Sequence, residues 1–179
     1  MTALPHNFEW LLDAERQPLP MMISEALAEY DTRETPGVAD NPEILSWASE
    51  TGLNSYTANS IPWCGLFMAL IAQRAGKPIP DKPLWALNWA KFGEEGGQPD
   101  LGDVLVFMRD GGGHVGLYVA ETENEFWVLG GNQNDRVSFT KVSKKRMKAV
   151  RQPNYQDKPS SARPYLLEDG KAVVPASLE

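Results

Sequence analysis

The sequence predicts an α+β fold, with N-terminal helices followed by a C-terminal antiparallel β-sheet of about five strands. Three observations carry this expectation. Up to Gly93 the apolar residues recur at helical spacing, as in Met22, Ile23, Ala26 and Leu27. After Gly93 the period shortens to that of strands. The β-rich segments are then joined by short Gly-, Asn- and Asp-rich turns, as consecutive hairpins require. A chain of 179 residues suits one compact domain, and 42% hydrophobic with 23% charged residues excludes disorder.

The elements follow in order. Pro5, Pro18 and Pro20 bracket a short helical piece over Phe8–Glu15. Met21–Tyr30 has the spacing of a helix, and Asp31–Pro42, with two prolines and a glycine, reads as a loop. Asn41 caps a helix whose first residue is Pro42, and Gly52 ends it. Pro62-Trp63-Cys64 leads into a helix that stops at Gly76. That helix is apolar nearly all round from Leu66 to Ala72, the pattern of a central, buried helix. A further helical piece covers Pro83–Gly93. Strands are expected at Asp103–Arg109, His114–Ala120, Glu125–Leu129, Val137–Val142 and Met147–Gln152. Asn154–Glu179 reads as an extended tail wrapping the domain. The organisation expected is an N-terminal extension (1–20), a core domain (21–153) and the tail (154–179).

Charge and composition exclude several functions. With 24 acids against 17 bases, and no dense basic cluster, nucleic acid is not an expected partner. The longest apolar run is Leu66–Ala72, too short for membrane insertion. MTALPHNFEW has neither a basic start nor an apolar stretch, so no signal peptide is expected. One cysteine and two histidines supply neither a disulfide framework nor an ordinary zinc site; no metal and no cofactor are expected.

What remains is thiol chemistry. Cys64 stands at a helix start, where free N–H groups and the helix dipole favour thiolate. Read alone, a single cysteine is more often an inert buried residue than a nucleophile. His114 follows the Gly111-Gly112-Gly113 turn and opens a strand. Alternation puts His114, Gly116, Tyr118 and Ala120 on one face, and the small Gly116 and Ala120 leave room there for a helix. Asn132 ends the next strand, where its amide oxygen is placed to orient the imidazole. A Cys64–His114 thiolate–imidazolium pair would have a lowered thiol pKa and a raised histidine pKa.

The motifs Glu34-Thr35-Pro36-Gly37, Asn41-Pro42, Pro62-Trp63-Cys64, Leu101-Gly102-Asp103-Val104, Gly113-His114-Val115-Gly116, Leu129-Gly130-Gly131-Asn132-Gln133 and Val150-Arg151-Gln152-Pro153 occur in this order. Each is weak alone; the ordered set resembles a phage-associated family of papain-like cell-wall hydrolases. These are related to the CHAP and NlpC-type cysteine amidases and peptidases. The resemblance spans about residues 21 to 153 and implies a papain-like fold acting on peptide or amide bonds of peptidoglycan. It implies Cys64 as nucleophile, His114 as base and Asn132 as the polar third residue. Trp63, Gly113 and Gln133 then fall at the substrate, although Trp63 reads equally as a core tryptophan. The backbone N–H of Cys64 is the natural oxyanion donor, with Tyr56 and Asn59 as candidates for a second. The expected partner is peptidoglycan, met by a monomer after release, virion packaging or injection. The N-terminal extension or the tail could contact a further partner. The rival reading is a catalytically silent wall-binding or phage structural module of the same fold.

Overall fold

The computed structural model describes residues 2–37 and 39–176; the last three residues of the expected tail lie outside these. Two 3₁₀ turns, His6–Leu12 and Ala14–Arg16, replace the helix expected over Phe8–Glu15, because Asp13 between them is extended (ψ 138°). Three α-helices follow: α1 (Met21–Ala28), α2 (Pro42–Thr51) and α3 (Cys64–Arg74). Asn41 caps α2 by accepting from Glu43 N–H at 2.8 Å, and Gly52 ends it in the left-handed conformation (φ 71°). The all-apolar stretch of α3 is buried throughout, with α1 and α2 on one side and strands on the other. The piece after Pro83 is again 3₁₀, over Ala86–Lys91.

The strands are β1 (Glu94–Glu95), β2 (Val104–Arg109), β3 (Gly112–Glu121), β4 (Glu125–Gly130), β5 (Ser138–Ser143), β6 (Met147–Gln152), β7 (Leu166–Glu168) and β8 (Lys171–Val173). The main sheet has the order β1-β6-β2-β3-β4-β5, antiparallel at every step. Strands β2 to β5 form the expected meander. β6 then crosses back to pair with the free edge of β2. The segment read as an extended tail carries the β7–β8 hairpin, which meets β3 in parallel at Glu121–Leu166. It also carries Tyr165, buried and packed at a tilt of 44° on Trp10, with 4.8 Å between ring centroids. Phe8 stacks on Phe139 at 3.9 Å, and Ser161 Oγ donates to Pro18 C=O at 2.7 Å. Both ends of the chain therefore pack on the core and on each other.

The sheet's two faces differ from the expectation. Val115, Leu117 and Val119 share the large core with α3, whereas Tyr118 packs with Leu105, Phe107, Phe126, Val128 and Val150 on the opposite face. The space beside Gly116 is filled by the sheet itself: a Cβ there would lie 2.5 Å from Val128 Cγ1. The helix thus packs on the branched aliphatic face, where more apolar area is buried, and not on the face of His114. A register shift between Tyr118 and Ala120 opposite β4 returns Ala120 to the α3 side.

Candidate active site

Cys64 is the first residue of α3, and its N-cap, Trp63, offers no side-chain bond to the helix's free N–H groups. The N–H groups of Val115, Gly65 and Cys64 itself lie close enough to the sulfur to favour thiolate. Burial outweighs them: the residue is 3% exposed, and its thiol is pushed above the ordinary range. Gly65 lets the Pro83–Leu84 backbone close over the helix start, since a Cβ there would meet Pro83 O at 2.2 Å. That crossing segment makes one wall of a cleft of about 430 Å³, lined by Cys64, Pro62, Leu84, Trp85, Leu87, Arg109 and Gly113. Trp85 is 73% exposed in this otherwise apolar groove.

His114 is buried on the other side of the β2–β3 end, beside Phe107 (ring centroids 6.4 Å apart). Its Nε2 lies 2.8 Å from Gln133 Oε1. The Gln133 amide is fixed from behind, because its Nε2 donates to Val128 C=O at 3.2 Å and to Ser138 C=O. Oε1 can only accept, so His114 Nε2 carries a proton and Nδ1 is the basic nitrogen of the neutral ring. Gly130 permits this approach: a Cβ there would stand 2.9 Å from Gln133 Oε1. At Gly131 a Cβ would stand 2.5 Å from Phe67 Cβ, so the loop rests directly on α3.

The orienting residue is therefore Gln133 and not Asn132. Asn132 adopts a left-handed backbone (φ 55°), which turns the loop so that the next side chain faces inward. Asn132 lines the His114 cleft, about 210 Å³, without bonding the ring. Residue type did not separate the two: asparagine after Gly-Gly tolerates φ > 0, but only the structure shows that Asn132 adopts it. Gln133 lines the His114 cleft, with its side-chain amide bonded to the imidazole and to two backbone carbonyls. Trp63 is not a cleft wall. It is fully buried, edge-on to Trp47, with Nε1 donating to Glu34 Oε1 at 2.6 Å. Gly113 does line the Cys64 cleft. Tyr56 and Asn59 do not; both are buried, and the Tyr56 hydroxyl donates to Asn59 Oδ1 at 3.3 Å.

Burial also lowers the His114 pKa, assisted by Arg109 and opposed by the Gln133 bond. The expected thiolate–imidazolium pair is reversed at rest: desolvation dominates both groups and keeps both neutral. The thiol reaches the backbone of Val115, next to His114, while the two side chains open into different clefts, with Arg109 lining both. Sequence reasoning missed Arg109 and Trp85, since neither lies in a recognisable motif. No cluster of three or more metal-ligating side chains occurs among the described residues, and no helix is long and apolar enough to cross a membrane. No protein-family model matches the chain, and a search of curated proteins found no match.

Proposed function

We propose that the protein is a papain-like cysteine hydrolase that cleaves a peptide or amide bond of peptidoglycan. The observation that carries this reading is the fixed hydrogen-bond chain from Ser138 and Val128 carbonyls through Gln133 to His114 Nε2. It leaves Nδ1 as the base, on the residue next to the backbone that Cys64 touches. In the proposed reaction, which requires thiol and imidazole to be brought together from their separate clefts, the Sγ proton passes to Nδ1 as sulfur attacks the scissile carbonyl. The imidazolium then holds two N–H groups, one kept by Gln133 and one delivered to the leaving amine. Water then attacks the thioester carbonyl while Nδ1 takes its proton; the C–S bond breaks, Nδ1 returns the proton to Sγ, and the acid leaves with the thiol restored. The uncapped N–H groups of Cys64 and Gly65 at the start of α3 are the donors for the tetrahedral oxyanion. The choice of peptidoglycan rests on the ordered motifs from Glu34 to Pro153.

One observation favours the second reading, a silent wall-binding or structural module: thiol and imidazole open into separate clefts. Mass analysis of muropeptides released from purified sacculi separates the two. Hydrolysis by the wild type, with loss of at least about 10³-fold in Cys64→Ala, supports the enzyme. Equal release by both proteins, or binding without release, supports the module.

A further inference from the structure

The chain has a net charge of −7, yet no Asp or Glu lines either cleft among the described residues. The charged side chains there are arginines, Arg146 in the His114 cleft and Arg109 in both. Arg109 ends β2 opposite Gly112, is exposed, and forms no ion pair among the described residues. Its nearest acid in sequence, Asp110, is exposed in the turn and lines neither cleft. A guanidinium held free between a nucleophile's cleft and its base's cleft, in an acidic protein, is placed to receive an anion. The other side chains of the Cys64 cleft are mainly apolar, so Arg109 is the one cation that an anion bound there meets.

We infer that Arg109 binds a free carboxylate on a residue flanking the scissile bond, so that the site selects acyl substrates carrying a carboxylate there over their carboxamides. This rests on the cysteine-hydrolase reading for its substrate, but anion binding beside Cys64 does not. Stem peptides offer such a group, because the D-glutamate residue carries one carboxylate that is not in the chain. Trp85 supplies the apolar wall against which the substrate backbone lies.

Two measurements test it. The first compares alkylation of Cys64 by iodoacetate, an anion, with alkylation by neutral iodoacetamide, at one alkaline pH and low salt. The ratio of the two rates, relative to that of the unfolded chain, is expected to fall about threefold or more in Arg109→Gln and to be largely kept in Arg109→Lys. An unchanged ratio in Arg109→Gln overturns the inference. The second uses two muropeptides that differ only by carboxylate or carboxamide at the flanking residue. The wild type is expected to favour the carboxylate by about tenfold in kcat/KM, and Arg109→Gln to favour neither. Equal discrimination by wild type and variant overturns the substrate assignment. Cleavage of neither muropeptide by the wild type counts against the hydrolase reading and the substrate assignment together, while the alkylation ratio still decides whether Arg109 draws anions to the thiol.

Discussion

At the scale of single residues, the site is defined by one amide. Gln133 donates twice and accepts once, and only that arrangement fixes which imidazole nitrogen is basic. Gln133→Ala is expected to lower kcat by about 10- to 100-fold, because the ring loses its orientation. The substitution also leaves a buried N–H unpaired, at a stability cost of about 1–3 kcal/mol. Asn132→Ala is expected to cost about 1 kcal/mol, through its left-handed backbone (φ 55°), with kcat little changed. Steady-state kinetics and denaturation of both variants check this; a larger kcat loss in Asn132→Ala than in Gln133→Ala would return the orienting role to Asn132. Cys64 and His114 were picked out from residue type and motif order; the structure buries both, but opens them into separate clefts. The identity of the third residue was not legible, because it depends on a single left-handed residue that turns the loop by one position. The resting charge state was not legible either. Helix position argues for thiolate, and only the depth of burial reverses it.

Among the elements, α2 and α3 were legible almost to the residue, because Asn41-Pro42, Gly52 and Gly76 act locally through capping and left-handed stops. Strands β2 to β6 were legible for a similar reason: each is bounded by turn residues. The 3₁₀ pieces near Phe8 and Trp89 were not, since their apolar spacing matches a helix over one turn. Nor was the face of β3 that meets α3, which is decided by competition between two apolar surfaces across the sheet. The β7–β8 hairpin was missed because three-residue strands have too little alternation to read. The contact between α3 and the Pro83–Leu84 segment hangs on Gly65. Gly65→Ala would press a Cβ within 2.2 Å of Pro83 O and 2.8 Å of Leu84 O, both backbone atoms. We expect a loss of about 1–3 kcal/mol in chemical denaturation, because backbone on both sides must move. Displacement of Leu84 and Trp85 should also raise KM for any substrate held in the Cys64 cleft. A fully stable Gly65→Ala protein would mean that this segment does not cross the helix start.

Over the whole molecule, the fold carries a buried carboxylate away from the site. Asp103, in the turn that starts β2, accepts from Asp100 N–H at 2.9 Å and from Gln152 Nε2 at 3.3 Å, tying that turn to β6. Burial raises its pKa to about 6 from an ordinary 3.8. The folded state therefore binds more protons than the unfolded state between those values, and this group's contribution to stability falls as pH rises from about 4 through 6. Relative to Asp103→Asn, the wild type should lose on the order of 2–3 kcal/mol across that interval, read as the difference in urea midpoints at each pH. A pH-independent difference would show that Asp103 titrates normally. The same tie joins Leu101-Gly102-Asp103-Val104 to Val150-Arg151-Gln152-Pro153, which meet in space across β2 and β6. The proposed reaction runs through a covalent acyl intermediate between Cys64 and a peptidoglycan peptide. Acid-quenching the wild-type protein during turnover of purified muropeptides and measuring its intact mass tests this most directly. One added acyl fragment is expected, mapped to Cys64 and absent from Cys64→Ala, which should release no product. Product release at an equal rate by Cys64→Ala, with no adduct on the wild type, would contradict it.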